Sequence, residues 1–363
     1  YIPAKGELKR VCTASERHLR AADEEQITTR EALADMLDWL TDDKSCLYAL
    51  LGDYGMGKTF TCRMFAQQLA ERCQQEPNLP KPVYLDLRDV PTFVTVHGKT
   101  RQPILEEMLE TVLRLNGQGE TYTSKELILA ARQGKLLCIF DGLDELAQQG
   151  KAASEEANNF VDEVLRRIHE GNSQGLHRQV IITGRTIAVQ SVADKLREHR
   201  QISSVLPYFI EEKELEKYED PDGLLAEDQR QIWWQQYGAA AGKDYTGLPA
   251  DLDRKHLAEI TAQPLLNYLV ALSYERKTIE FTDETTLNQI YADLIKAVYC
   301  RQYEECGKGR VCVSELKEHE FLRVLEEIAL AVWHGDGRTA TVSSIQEKFK
   351  AAGMERYLKQ FQK

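Results

Sequence analysis

The chain has 363 residues, 42% of them hydrophobic, which is enough for more than one core and too long for a single ordinary one. Lysine and arginine number 46 against 58 aspartates and glutamates, and the net charge of −12 excludes a general attraction to nucleic acid or to an anionic membrane. Apolar runs such as LLCIF and YLVAL fall far short of the roughly 18 residues of a spanning helix, so the sequence is read as soluble, with no membrane partner.

The chain begins with Tyr1 and shows no basic, then apolar, leader. Residues 1–20 are read as an N-terminal linker and the whole as a piece of something longer. REALADMLDWL carries helical periodicity and forms an entering helix. Strand-like runs follow at 46–51 (CLYALL), 82–87, 135–140 (KLLCIF), 179–183 (QVIIT) and 202–206, each trailed by a helical pattern. Continuous runs of this kind, separated by helices, predict an α/β domain with a parallel five-stranded sheet over residues 21–218, because strands covered on both faces have no polar side to show.

Near 219 the composition turns polar with EDPDGLLAEDQ, where the domain boundary is placed. A helical domain is expected over 219–282, in which Pro264 breaks HLAEITAQPLLNYLVAL into two pieces. A small winged-helix-like unit over 283–363 is expected to be truncated. In it FLRVLEEIALAVWHG stops at Gly335, and TVSSIQEKF starts with a Ser344 to Glu347 capping pattern.

Eight cysteines at irregular spacing do not form a disulfide framework, and a reducing, cytoplasmic compartment is expected. Cys300, Cys306, Cys312 and His319 could be drawn around zinc, but the spacing matches no usual zinc pattern and ordinary thiols are the better reading.

The chemistry gathers in three stretches. Gly52-Asp53-Tyr54-Gly55-Met56-Gly57-Lys58-Thr59 fits G-x-x-x-x-G-K-[ST] between an apolar strand and an amphipathic helix, and these residues together with Phe60 are read as nucleotide-binding. Its glycines let backbone N–H groups turn around phosphates over the positive end of the helix dipole. Lys58 would reach the β- and γ-phosphates and Thr59 would ligate Mg2+. KLLCIFDGLDEL ends a buried strand at Asp141, placed to hold the metal. Asp144 and Glu145 follow; one of them, with Glu145 preferred, can orient and deprotonate a water, or both merely begin a solvated helix. In QVIITGRT, Arg185 follows the next strand by two residues, where a fixed guanidinium can report a γ-phosphate. Asp141 is not followed by the D-x-x-G of a GTPase and no Asn-Lys-x-Asp occurs, which favours adenine.

In order and spacing, GDYGMGKTF, CIFDGLDEL and TGRT resemble the NACHT branch of the STAND nucleotide-binding switches, the class of NOD-like receptors and many bacterial anti-phage proteins. The resemblance covers roughly residues 20 to 350, and LLGDYGMGKT is more similar to bacterial members. It implies that Pro264 packs near the adenine. It also implies an ATP/ADP switch with slow hydrolysis and homo-oligomerisation on activation, with effector and sensor domains outside this sequence and no direct nucleic-acid binding. The competing expectation is a motor-type AAA+ or nucleic-acid-processing ATPase, and a third is a scaffold that hydrolyses nothing. One departure stands out: family members carry a winged-helix histidine in an F-x-H-x-x-F-x-E-like context, which neither His319 nor His334 has.

Overall fold

A computed structural model describes residues 10–14, 27–42, 45–87, 94–96, 99–101, 107, 110, 111, 113, 114, 123–144, 160–164, 166, 179–185, 200–304, 317–334, 340 and 342–358. Two compact units divide the chain, Tyr1–Asn267 and Tyr268–Lys363.

In chain order the first unit contains β1 (Val11–Ala14), β2 (Ile27–Glu31), α1 (Ala32–Thr41), β3 (Leu47–Leu51), α2 (Lys58–Arg72) and β4 (Lys81–Asp86). Next come β5 (Val94–Val96), β6 (Lys99–Arg101), α3 (Ser124–Arg132), β7 (Leu136–Asp141), β8 (Val180–Gly184) and β9 (Arg200–Ser204). They are followed by α4 (Glu212–Leu215), β10 (Tyr218–Glu219), α5 (Gln229–Ala241) and α6 (Ala258–Ala262), and then by α7 (Pro264–Arg276), which begins in this unit and passes into the second at Tyr268. The second unit holds α8 (Leu287–Glu304), α9 (Glu318–Trp333), α10 (Val342–Ala351) and α11 (Glu355–Leu358).

The five predicted strands form one parallel sheet in the order β4-β7-β8-β3-β9. Every residue of β3 and β8 is buried, as strands sandwiched between helices require. Side chains alternate between two cores. Leu47, Ala49 and Leu51 join Phe140, Val161, Ile182 and Ile202 on one face. Tyr48 and Leu50 join Ile139 and Ile181 on the other, under Met36 and Trp39 of α1 and Cys62, Phe65 and Leu69 of α2. The order matters for the site: β8 lies between β3 and β7, so the chain ends leaving all three strands converge on one edge.

A second sheet, β1-β2-β10, is not anticipated by the apolar pattern, and β1 falls inside the segment read as a linker. Its strands VCTA, ITTRE and YE are too short for an apolar run to show, the last two carry mostly polar residues, and pairing together with the burial of Val11 and Cys12 holds them. It is tied to the large sheet by the Leu206 N–H, which donates to the Val11 carbonyl at 2.9 Å.

Pro264 does divide the helical run, standing first in α7 after α6 ends at Ala262, where its missing N–H costs nothing. Trp234 of α5 donates its indole N–H to Asn267 Oδ1 at 2.9 Å and packs edge-on against Tyr237 and Tyr245. Within the second unit Val324, Phe349, Met354 and Tyr357 form a small core with Phe321, Ile328 and Ile345. One expectation needs correcting there. Helix α10 begins at Val342, so Ser344 stands inside the first turn and is not its cap; Ile345 and Phe349, both turned to that core, set the helix face while its start extends further back. Gly335, Cys306 and Cys312 lie outside the described residues.

Candidate phosphate-binding site

The loop from β3 to α2 owes its shape to glycine. Gly55 (φ +78°) and Gly57 (φ +90°) occupy the left-handed region. A Cβ on Gly55 would also stand 2.8 Å from Leu265 Cβ, so the close approach of α7 excludes any side chain there. The Leu265 N–H donates to the Gly55 carbonyl at 3.1 Å, which places Pro264 beside the loop. Gly57 is the N-cap of α2 and gives no side-chain cap, so the first-turn N–H groups, including those of Thr59 and Phe60, are left for an external anion.

Lys58 folds onto its own loop, donating to the carbonyls of Gly52 at 2.7 Å and Asp53 at 3.1 Å. Burial pulls its ammonium below the usual lysine value; Asp144 and then Asp141 pull the other way, with Arg185 adding to the lowering and Asp53 opposing it. All the charged residues assigned to the site among the described residues therefore act on one ammonium.

Asp141 closes β7 and is 2% exposed. Its carboxylate accepts the Tyr84 hydroxyl from β4 at 2.5 Å and the Thr183 hydroxyl from β8. Thr183 in turn accepts the Gly142 N–H at 3.0 Å, and Gly142 (φ +91°) makes the turn out of the strand. Each carboxylate oxygen keeps a further lone pair, and together with Thr59 the donors are hard oxygens, which fit Mg2+.

Arg185 leaves β8 and ion-pairs with Asp144, Nε to Oδ2 2.9 Å, off the angle of a hydrogen bond. Its guanidinium lies 5.6 Å from the centre of the Tyr54 ring. The structure thus brings together Asp53, Tyr54, Lys58, Asp141, Asp144 and Arg185. Glu145, the preferred water-activating residue, lies outside the described residues.

Three contributors are absent from the sequence reading as site residues. Tyr84 and Thr183 orient Asp141, and the available signal was a hydroxyl in each strand flanking the metal strand. The third is Arg10, which donates from one nitrogen, Nη2, to the Met56 carbonyl of the loop at 2.7 Å and to the Leu206 carbonyl at 2.9 Å. No local pattern marked it.

Residues 47–218 match the NACHT domain family. No curated protein matches the chain. Among solved structures, the Aeropyrum pernix ORC2 protein in its ADPNP-ADP complexes is 14% identical, covering 96% of this chain and 90% of that one at a TM-score of 0.40. Domain III of the Thermotoga maritima replication initiation protein DnaA is 15% identical over 73% of this chain and 90% of that one, TM-score 0.36. The Aeropyrum pernix ORC1 protein in complex with DNA is 16% identical over 88% and 76%, TM-score 0.38. Among the described residues no helix is long and apolar enough to cross a membrane.

Proposed function

We propose that this chain, whose residues 47–218 match the NACHT domain family, is an ATP/ADP switch that hydrolyses ATP slowly and controls homo-oligomerisation of a cytoplasmic signalling protein, of the kind used in anti-phage immunity. The observation that carries the reading is the ion pair between Arg185 and Asp144 at the edge where β3, β7 and β8 end.

A third phosphoryl group arriving beside Lys58 offers the Arg185 guanidinium a second, more highly charged oxyanion partner. Arg185 then leaves Asp144, and the freed carboxylate, next to Glu145 in sequence, is available to orient water. With ADP the pair stays closed. Bound Mg2+ would neutralise charge between the β- and γ-phosphates. Asp141 and Thr59 would hold it, Asp141 already aimed by Tyr84 and Thr183. Pro264 follows the same logic at the base: α7 touches Gly55 directly, so the helical segment registers what the loop holds.

Inverting a 1:99 equilibrium needs a state preference of about 10⁴-fold, about 5.5 kcal/mol. Arg185 supplies a part of this and assembly contacts the rest. The test is differential affinity. Arg185→Ala should weaken a non-hydrolysable ATP analogue about tenfold more than ADP, the worth of one hydrogen bond to a charged group. Equal weakening of both nucleotides would make Arg185 a general anchor and remove the basis of the reading.

A further inference from the structure

Arg10 is 6% exposed, and among the described residues no carboxylate pairs with it. Burial pulls its guanidinium below the usual arginine value, an influence that the nearby Tyr208 and Cys12 oppose. Among the described residues its partners are the Met56 and Leu206 carbonyls and Tyr208, which interacts through its side chain and whose ring centre lies 4.8 Å from the guanidinium carbon. Among the described residues Nε has no hydrogen-bond partner, and it lies 3.8 Å from where a Cβ on Gly57 would stand. A buried cation without an anion is costly, and one retained against the phosphate loop asks what negative charge balances it.

The backbone around Arg10 holds it rigidly. Its carbonyl accepts the Ala32 N–H at 2.7 Å, the next residue accepts from Leu206, and Cys12 bridges Val205. The side chain therefore reaches the loop from a fixed base made of β1, α1 and the end of β9.

The Met56 carbonyl and the Gly57 N–H belong to one peptide unit, and no peptide bond in the described residues is cis. In a trans peptide the two groups point in opposite directions. A guanidinium that fixes the carbonyl on one side thereby fixes the N–H on the other, and it polarises that N–H as hydrogen-bonded chains do.

We infer that Arg10 is a positioning residue for phosphate binding: bonded to the Met56 carbonyl from the outside of the loop, it turns the Gly57 N–H toward a bound diphosphate and supplies a buried charge that the diphosphate balances. This rests on the nucleotide-binding reading above. It gives β1, a strand ahead of the phosphate loop in sequence, direct leverage on how tightly phosphate is held.

The experiment is competition for a fluorescent ADP by unlabelled ADP and by inorganic pyrophosphate, in wild type, Arg10→Met and Arg10→Lys. Arg10→Met should weaken both competitors by the same factor, about 10- to 100-fold, the range for hydrogen bonds to a charged group. Arg10→Lys should stay within about threefold of wild type, since one nitrogen makes both carbonyl bonds and an ammonium keeps three donors and the charge. Should Arg10→Met not fold, Arg10→Gln, which keeps an N–H but no charge, is measured in the same way with the same expectation. Unchanged affinity for both competitors in a folded variant would overturn the inference. So would a loss for ADP with none for pyrophosphate, which would put Arg10 on the base or sugar. If wild type binds neither ligand, it is the nucleotide reading that fails, separately from Arg10.

Discussion

Two buried aspartates of the first unit are held in nearly the same way at different places on the large sheet. Asp141 accepts hydroxyls from Tyr84 and Thr183, and Asp35 on α1 accepts hydroxyls from Tyr48 at 2.6 Å and Ser203 at 3.0 Å. Both are 2% exposed. What differs is the company. Asp141 acts, with Asp144 and Arg185, on the Lys58 ammonium. Asp35 takes the Gln201 amide at 2.9 and 3.0 Å and the Cys12 thiol at 4.0 Å, and the charge that acts on it is that of Arg30. A tyrosine, an aspartate and a small hydroxyl are thus one way to bury a carboxylate against strands. The position at the carboxyl ends of β7 and β8, beside the phosphate loop, turns one copy into a candidate metal holder, while the other ties α1 to β3 and β9.

The strongest way to break this contrast is to remove each carboxylate. Asp141→Asn should abolish most of the gain in ATP affinity that Mg2+ provides, about 100-fold, while ADP binding in EDTA and the urea unfolding midpoint stay close to wild type. Asp35→Ala should do the reverse. It strands the buried donors of Tyr48, Ser203 and Gln201 and should cost about 3 kcal/mol or more of stability. Below its unfolding transition, its Mg2+ dependence should be normal. Titrations of ATP with and without Mg2+, run beside urea melts, check both. A loss of Mg2+ response in folded Asp35→Ala would erase the distinction.

How much of this was legible in the sequence follows from how far apart the partners lie. The parallel strands were placed within two residues, 46–51 against Leu47–Leu51 and 202–206 against Arg200–Ser204 at the extremes, because burial on both faces writes itself as a local apolar run. The phosphate loop was equally local. By contrast Tyr84 reaches Asp141 across 57 residues, Thr183 across 42, and Arg10 reaches Met56 across 46 and Leu206 across 196. No periodicity encodes such pairs. The sheet β1-β2-β10 escaped for the same reason, since its strands are short and carry polar residues such as Thr13, Thr28 and Glu219. Asp35 did leave a trace: it stands with Ala32, Met36 and Trp39 on the buried stripe of α1, a polar residue at a core position.

A milder pair of changes sharpens the contrast by removing one oxygen atom at a time. Tyr84→Phe deletes the hydroxyl that aims Asp141, and the Mg2+ concentration giving half of the ATP-affinity gain should rise about tenfold, the lower end for a group that orients a metal ligand. Tyr48→Phe deletes the matching hydroxyl on Asp35 and should lower stability by about 1 to 2 kcal/mol with Mg2+ dependence unchanged. The same half-saturation shift in both variants, or in neither, would mean that the two tyrosines are interchangeable packing groups.

The smallest expected effect concerns pH. Burial pushes the Asp35 carboxyl above the ordinary aspartate value and outweighs the hydrogen bonds from Tyr48, Ser203 and Gln201 and the charge of Arg30, all of which pull it down. The folded chain therefore holds this proton more tightly than the unfolded one. The contribution of Asp35 to stability is most favourable below about pH 3.9, the ordinary aspartate value, and is lost as pH rises through the folded value. Asp35→Asn has no proton to lose there. Between about pH 4 and pH 7 the stability of wild type should consequently fall relative to Asp35→Asn, as read from urea midpoints at fixed ionic strength. ADP affinity should not follow that change, because Asp35 serves the sheet and not the phosphate loop. A gap that widens in favour of wild type with rising pH would show the hydrogen bonds prevailing over burial, and Asp35 would then be a stabilising anion like any exposed, well-paired carboxylate.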